Sequence, residues 1–217
     1  MNSVQGMLEL LSLTPPGASL TEIVGAATEA SHSLLRIIDD MLDHESIVRG
    51  TLAIRLSPVS IAALLQHMQT MYTPLAKASG ITLTQHSDPH LSPALLTDPA
   101  RLCQVLFNLI DNALRHTPPG ESVEVATAIS GSGPGRAVTV QVSDTGEGIP
   151  TDQLALVFDR FHRVDTSRSS SDGSGSGLGL TIARAIAVDH GGRLDAASAG
   201  PGRGATFTLT LPTTSGR

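Results

Sequence analysis

Two asparagines one helical turn apart, Asn108 and Asn112, lie in a strongly apolar stretch of the chain. At helical spacing they share one face of a helix, and apolar side chains form the opposite, core-facing stripe. That stripe consists of Leu102, Val105, Leu106, Leu109, Ile110 and Ala113. Buried amides are costly unless something satisfies them, and a hydrated metal ion or a phosphate group would do so. Taken alone, the pair favours the alternative, in which the amides bond to neighbouring backbone, and the stretches described next favour a ligand instead.

Two basic or titratable side chains, Arg115 and His116, follow directly on the same predicted helix. They could neutralise phosphate charge, and ordinary surface positions are the alternative. The loop Asp144–Pro150, with Gly146 and Gly148, follows an apolar strand. A carboxylate there can accept a hydrogen bond from a donor such as an adenine amino group. Asp-Thr-Gly is also a common turn sequence, so a turn former is the alternative for Asp144.

Three alternating glycines, Gly175, Gly177 and Gly179, precede an apolar helix that begins near Leu178. Glycine lets the backbone approach phosphate oxygens, and a helix N-terminus offers free N–H groups and positive potential. No strand comes directly before these glycines, which argues against a dinucleotide fold. A flexible linker is the alternative, but the apolar helix that follows favours a phosphate-binding loop.

The segment from Phe158 to Ser176 lies between these two loops and is predicted to form a lid. Phe158 and Phe161 could pin it by packing, and Arg160 and Arg163 could reach phosphates. Its second half is rich in Ser and Gly and poor in apolar residues, which is typical of a segment that is mobile without ligand. A plain linker is the alternative interpretation.

In this order and at these separations, the four stretches resemble the N, G1, F and G2 boxes of sensor histidine kinases, from about Leu8 to Pro212. The resemblance implies ATP and Mg²⁺ as cofactors, with Asn112 on the metal ion, Asp144 on adenine and Thr206 in a supporting, water-bridged contact. The remaining residues expected around the nucleotide are Gly146, Gly148, Phe158, Arg160, Phe161, Arg163, Gly175, Gly177, Leu178 and Gly179. The resemblance also implies phosphoryl transfer to a histidine and onward to an aspartate of a response-regulator receiver domain.

Asn108 stands where related ATPases of the topoisomerase type carry a water-activating glutamate. An amide cannot take a proton from water, which favours transfer to another nucleophile over hydrolysis. We therefore expect Asn108, Arg115 and His116 to take part in catalysis. The alternatives are an ATP hydrolase of the same fold and a non-catalytic nucleotide-binding module for regulation or dimerisation.

Residues 1–50 are predicted to form a helical hairpin that is interrupted at Thr14–Gly17. The second arm carries an apolar heptad-like seam, and the resemblance implies that it forms a homodimeric four-helix bundle. The acceptor box of the family, His-Glu-x-Arg-Thr-Pro, is absent, and neither His32 nor His44 has that context. We therefore expect a partial dimerisation hairpin that cannot autophosphorylate by itself. The opening residues are most like those of hybrid kinases.

Residues 51–217 are predicted to form the ATP-binding domain, so the fold class is α+β: a helical hairpin followed by an α/β sandwich. Its mixed, largely antiparallel sheet carries helices on one face. The predicted strands are residues 51–56, 81–86, 123–129, 137–143, 193–198 and 205–211. The predicted helices are residues 61–78, which Pro74 should kink or shorten, the helix of the two asparagines with Asp98 as its N-cap, and residues 151–157 and 178–190. In the first of these helices, Leu64, Leu65, Met68, Met71 and Leu75 form the apolar set.

Composition excludes several classes of protein. A net charge of -6, no tryptophan and a single tyrosine argue against nucleic-acid binding. No run of about 20 apolar residues suits a membrane span. The single cysteine, Cys103, rules out an internal disulfide, suits a reducing compartment and is expected to be a buried structural thiol. The expected location is the cytoplasm, which is compatible with a membrane anchor elsewhere in the full-length protein.

Overall fold

A computed structural model describes residues 38, 41–43, 45–47, 49, 54–88, 95–131, 136–162 and 177–213. Its strands are β1 (Ser57–Val59), β2 (Thr82–His86), β3 (Leu95–Thr97), β4 (Ser122–Ser130), β5 (Ala137–Asp144), β6 (Arg193–Ala197) and β7 (Thr206–Pro212). Its helices are α1 (Ile61–Ala78), α2 (Pro99–Arg115) and α3 (Gly179–Asp189).

The main sheet has five strands in the order β2-β4-β5-β7-β6. Only β2 and β4 are parallel, and the other neighbours are antiparallel. Burial alternates along the strands: in β4, Val123 and Val125 are buried while Glu124 between them is exposed. This period of two means that one face of the sheet packs on the core and the other faces solvent. The predicted mixed, largely antiparallel sheet with helices on one face is confirmed.

Helix α2 lies at the centre of the helical layer and contacts both α1 and α3. All six residues of its predicted apolar stripe are buried. Asp98 caps its N-terminus, as predicted, by accepting hydrogen bonds from the backbone N–H groups of Ala100 and Arg101. Cys103 is half-buried and packs against the core, and burial raises the pKa of its thiol. This environment agrees with the predicted structural role of the thiol, although Cys103 is half-buried and not fully buried.

Two predicted elements are wrong. Of the predicted strand at residues 51–56, the described part, residues 54–56, forms no strand. Instead, β1 lies antiparallel to β3 in a separate two-stranded sheet that the sequence did not indicate. Residues 151–157 form successive turns instead of a helix. Gln153 N–H donates to Pro150 O and Leu156 N–H donates to Gln153 O, both at three-residue spacing. A single four-residue bond, from Val157 N–H to Gln153 O, is not continued into an α-helix.

Helix α1 has the predicted bounds but a different inward face. Ile61, Leu65, Met68, Tyr72 and Ala76 are its buried residues, while Met71 and Leu75 are exposed. A helix whose neighbours lie on one side buries only a stripe at spacings of three and four, so part of the predicted apolar set must face outward. Pro74 does not shorten the helix, which continues to Ala78.

Most of the predicted helical hairpin, with its heptad seam, His32 and His44, lies outside the described residues. Within them, residues 41–43 and 45–47 are helical, and we call them the N-terminal helical segment. Its Ile47 packs against the core of the following domain, whereas Met41 and Leu42 are exposed. In the part of the chain that the structure describes, no helix has the length and apolar character to span a membrane.

Candidate active site

Asp144 ends β5 and holds the loop that follows it. Its Oδ1 accepts hydrogen bonds from the backbone N–H groups of Gly146, at 2.9 Å, and Ala205, at 3.2 Å. None of the described residues donates a hydrogen bond to its Oδ2. Burial raises the pKa of this carboxyl, against the lowering effect of the two backbone bonds and of the nearby His116. One oxygen of Asp144 therefore organises the loop, and the other accepts no hydrogen bond from the described residues.

The C-terminal end of α2 is locked to the same loop through His116. Its carbonyl oxygen accepts from the backbone N–H of Glu147 at 3.0 Å, and its Nδ1 lies 3.3 Å from Oε2 of Glu147. A Cβ atom on Gly146 would lie only 2.0 Å from that carbonyl oxygen. Gly146 is therefore required for this close approach of loop to helix.

The start of α3 is attached to the same helix about two turns earlier, at Asn108. Nδ2 of Asn108 donates to the carbonyl oxygen of Gly179 at 3.0 Å, and a Cβ on Gly179 would lie 3.2 Å from Oδ1 of Asn108. A side chain at position 179 would press on the Asn108 amide, so glycine eases the close approach of α3 to α2. Asn108 spans the gap between the two helices.

Asn112 lies on α2 between these two attachments, one turn after Asn108 and one turn before His116. Its side chain is half-buried and makes no hydrogen bond to any described residue. A half-buried amide that is free of protein partners, on a helix face bordered by two glycine loops, suits an external oxygen-seeking ligand. One protein amide oxygen together with phosphate oxygens and water is a donor set that Mg²⁺ accepts.

Two further glycines have a left-handed backbone in the two loops of the site, Gly177 before α3 and Gly148 after β5. Gly177 has a left-handed backbone, with φ 66°, and its carbonyl oxygen accepts from the backbone N–H of Phe161 at 3.1 Å. Gly148 has φ 69°, and a Cβ there would lie 2.2 Å from the carbonyl oxygen of Gly200. Leu178 is buried and lies directly before α3.

The two phenylalanines of the predicted lid have different positions. Phe158 is buried: it meets Phe207 edge-on, its carbonyl oxygen accepts from the Thr181 hydroxyl, and the Arg184 guanidinium lies 4.9 Å from its ring centre. Phe161 is 65% exposed, so it does not pin the chain by side-chain packing. Its backbone does so instead, through the bond to Gly177 and a left-handed φ of 58°.

The other predicted site residues are less closely tied to this cluster. Oγ1 of Thr206, at the start of β7, lies 3.0 Å from Oγ of Ser143 on the neighbouring strand, directly before Asp144. Arg115 and Arg160 are exposed. Arg163 and Gly175 lie outside the described residues.

Sequence reasoning missed two residues that hold the site together. Glu147 links α2 to the loop through both its backbone and its side chain. Ser198 uses its hydroxyl to accept from Ile149 N–H and to donate to the carbonyl oxygen of Gly204, so it joins the loop after β5 to the β6–β7 turn. Isolated Glu and Ser residues in loops carry no sequence signal, because their partners are distant along the chain.

Residues 97–215 match the family model described as histidine kinase-, DNA gyrase B-, and HSP90-like ATPase. The chain belongs to this family. It is 36% identical over 194 residues to the sensor protein DivL of Caulobacter vibrioides, and 31% identical over 218 residues to the autoinducer 2 sensor kinase/phosphatase LuxQ of Vibrio vulnificus. These alignments cover 88% and 100% of the chain, but only 23% and 25% of the two relatives. The chain thus spans about a quarter of their length.

The fold agrees with solved structures of the same family. Full-length ShkA, solved in complex with AMPPNP, superposes on 97% of the chain with a TM-score of 0.74 and 29% identity, over 43% of that protein. The histidine kinase ThkA, solved in complex with the response regulator TrrA, covers 97% of the chain with a TM-score of 0.68. At 20% identity, the second likeness shows the fold alone. The relatives are histidine kinases of two-component signalling, and the chain carries their ATPase domain.

Proposed function

We propose that the chain is the ATP-binding catalytic part of a two-component sensor histidine kinase. In this proposal, residues 51–217 form the ATP-binding domain, and residues 1–50 form part of a dimerisation hairpin. The observation that carries the proposal is that α2 binds both glycine loops, through His116 on one side and Asn108 on the other. Asn112 and the free Oδ2 of Asp144 flank this junction.

Each residue of the junction has a distinct role in the proposal. Asp144 Oδ2 accepts from the adenine amino group, with Thr206 in support, while Gly146 and Gly148 let the loop approach the base. Gly175, Gly177, Leu178 and Gly179 present backbone N–H groups and the start of α3 to the phosphates. Asn112 would hold Mg²⁺, which bridges phosphate oxygens and neutralises their charge.

Charge and position account for the remaining roles. His116, Arg115, Arg160 and Arg163 neutralise the triphosphate, and Phe158 and Phe161 anchor the base of the lid. Asn108 holds the glycine loop against α2 and supplies no base for water, which favours transfer of the γ-phosphoryl group over hydrolysis. Catalysis then rests on positioning and charge stabilisation.

The partners follow from the same proposal. The phosphoryl group passes to a histidine that this chain does not supply, and then to an aspartate of a response-regulator receiver domain. The chain is expected to dimerise through its helical hairpin, to act in the cytoplasm, and not to autophosphorylate by itself. Two similar proteins support these ligands and partners: ShkA was solved in complex with AMPPNP, and the histidine kinase ThkA was solved in complex with the response regulator TrrA.

Isothermal titration with ATP, ADP and GTP in millimolar Mg²⁺ tests the proposal. We expect ATP and ADP to bind and GTP to bind at least tenfold more weakly, because the acceptor oxygen of Asp144 faces the oxygen of guanine instead of an amino group. Steady release of phosphate from ATP would favour a hydrolase. If none of the three nucleotides binds, the proposal is contradicted and a non-catalytic module is favoured.

A further inference from the structure

Helices α1 and α2 are joined by a hydrogen bond from the only tyrosine of the chain. The Tyr72 hydroxyl donates to Oδ1 of Asp111 at 2.8 Å. The Tyr72 ring also contacts Phe107, with 6.0 Å between the ring centres and 49° between the ring planes. Tyr72 is only 5% exposed, so its hydroxyl needs a partner inside the protein, and Asp111 supplies it.

Both partners of Tyr72 on α2 directly precede an asparagine of the candidate site. Phe107 and Asp111 are four residues apart and share one face of the helix, which is turned towards α1. Asn108 and Asn112 form the next face, about 100° around the helix axis. The contact with α1 and the direction of the two asparagines are therefore set by the same rotation of α2.

Apolar packing beside this contact is incomplete. A small cavity lies between α1, α2 and the sheet, and Leu65, Met68 and Ile110 are among the residues that line it. Met68 lies one turn before Tyr72 on α1, and Ile110 is next to Asp111 on α2. Apolar contacts have no preferred direction, whereas a hydrogen bond requires its donor and acceptor in line. The Tyr72–Asp111 bond therefore adds the directional constraint that the packing around the cavity lacks.

We propose that Tyr72 is a positioning residue for the nucleotide site. Through Asp111 it fixes the rotation of α2 about its axis, and hence the direction in which Asn108 and Asn112 face. Side chains reach about 5–6 Å from a helix axis, so a rotation of about 10° moves the Asn112 amide by about 1 Å. A shift of this size matters, because a site must hold its groups within about 0.5 Å of the productive geometry. The inference rests on the proposed function, since it takes Asn112 as the ligand of Mg²⁺.

The gain in ADP affinity that Mg²⁺ provides measures this role. ADP is titrated into the unmutated chain and into Tyr72→Phe, with millimolar Mg²⁺ and with a chelator, and the gain is the ratio of the two dissociation constants. Tyr72→Phe keeps the ring and removes only the hydroxyl. We expect the gain to fall about fivefold or more, because Asn112 is turned away from the metal ion, while affinity without Mg²⁺ changes less than about twofold. An unchanged gain would overturn the proposal.

A matched pair of variants tests the partner on α2. Asp111→Asn and Asp111→Leu both remove the charge and introduce side chains of similar size, but only the amide can accept from the Tyr72 hydroxyl. We expect the larger gain from Mg²⁺ in Asp111→Asn, and no difference between the two in a Tyr72→Phe background. Ile61→Val, which removes one buried carbon atom elsewhere on α1, should keep the gain of the unmutated chain. Equal gains in Asp111→Asn and Asp111→Leu would contradict the role of the bond.

Nuclear magnetic resonance of the nucleotide-free chain separates this inference from the proposed function. Nδ2 of Asn108 donates to the carbonyl oxygen of Gly179, so its amide signals report the rotation of α2 without any ligand. Tyr72→Phe should shift these signals, and Ile61→Val should leave them in place. If the unmutated chain does not bind ADP, the proposed function fails, and the Asn108 signals still decide whether Tyr72 orients α2. Unchanged signals in Tyr72→Phe would overturn the inference in either case.

Discussion

At the scale of single residues, Asp144 has two tasks that conflict. Its Oδ1 binds two backbone N–H groups, and its Oδ2, which has no donor among the described residues, is proposed to bind adenine. Burial raises the pKa of this carboxyl, so its ionised form costs stability in the free protein at neutral pH. A buried carboxyl with a raised pKa is typical of a functional site.

Replacing Asp144 with Asn should separate the two tasks. An amide Oδ1 can still accept from Gly146 and Ala205, whereas Nδ2 turns the free acceptor into a donor that faces the adenine amino group. We expect ATP and ADP affinity to fall about a hundredfold or more, since a site built to pair a polar group rejects a mismatch strongly. Titration calorimetry measures the loss, and retained affinity would remove Asp144 from the adenine contact.

The same variant has a pH-dependent effect on stability with a definite sign. A carboxyl whose pKa is raised on folding stabilises the protein fully below its unfolded pKa, near 4, and loses this contribution as pH rises through the folded pKa. The nucleotide-free Asp144→Asn variant should therefore gain thermal stability relative to the unmutated chain at pH 7, and the gain should vanish near pH 4. Thermal unfolding across this range checks it; a loss of stability at pH 7 would contradict the assignment.

Asp98 differs from Asp144, because the pKa of its carboxyl is lowered instead of raised. Burial alone would raise the pKa of its carboxyl, but hydrogen bonds from the N–H groups of Arg55, Arg101 and Ala100, together with nearby His190, outweigh burial and lower it. Its contribution to stability is therefore present above the unfolded pKa and is lost as pH falls through the folded pKa. Asp98→Ala should cost about 2–4 kcal/mol at pH 7, because a helix cap and a charged bond are lost together.

The cost of Asp98→Ala should shrink below about pH 4, where the unmutated carboxyl also begins to lose its charge. Denaturant unfolding of both proteins at several pH values gives this difference. Asp152→Ala, at an exposed turn position, serves as the matched control and should stay close to the unmutated chain. An equal cost at pH 7 and at pH 3 would show that the cap acts through packing instead of charge.

At the scale of elements, the close approach of the loop after β5 to the end of α2 depends on Gly146. In Gly146→Ala the new Cβ would meet the His116 carbonyl oxygen at 2.0 Å, so helix and loop must separate. We expect a loss of roughly 1–3 kcal/mol of stability, as for overpacking, and weakened ADP binding. Gly202→Ala has open space around its Cβ and should show only the cost of its left-handed φ, about 1–2 kcal/mol.

Unfolding and ADP titration of the two glycine variants provide the comparison. If Gly146→Ala binds ADP as well as Gly202→Ala does, the contact between α2 and the loop is not needed for the site.

Helix bounds, the buried stripe of α2, the Asp98 cap and the β4–β5 hairpin were all predicted from periodicity and turn residues. These are local signals, and local signals suffice where the neighbours along the chain determine the structure.

The elements that were predicted wrongly depend on distant partners. Strand β3 has three residues and pairs with β1 across about forty residues of chain, so neither shows a pattern of its own. The turns at residues 151–157 contain apolar residues at helical spacing, but tertiary contacts bury Val157 and Phe158 without a helix. The bonds from Asn108 to Gly179 and from His116 to Glu147 likewise connect residues far apart in sequence.

At the scale of the whole molecule, α2 connects every functional part. Its first turn binds the N-terminal helical segment, its middle binds the start of α3, and its end binds the loop after β5. The motifs in the sequence indicated the site, whereas the attachment of that first turn, through Arg101 and Asp43, became visible only in the fold.

Asn112 tests the central claim most directly, because it alone is assigned to the metal ion. ADP is titrated into the unmutated chain, Asn112→Ala and Asn112→Asp, with millimolar Mg²⁺ and with a chelator. We expect Mg²⁺ to strengthen binding to the unmutated chain, Asn112→Ala to lose most of this gain, and Asn112→Asp to keep it because a ligating oxygen remains. A gain from Mg²⁺ in Asn112→Ala equal to that of the unmutated chain would contradict the account.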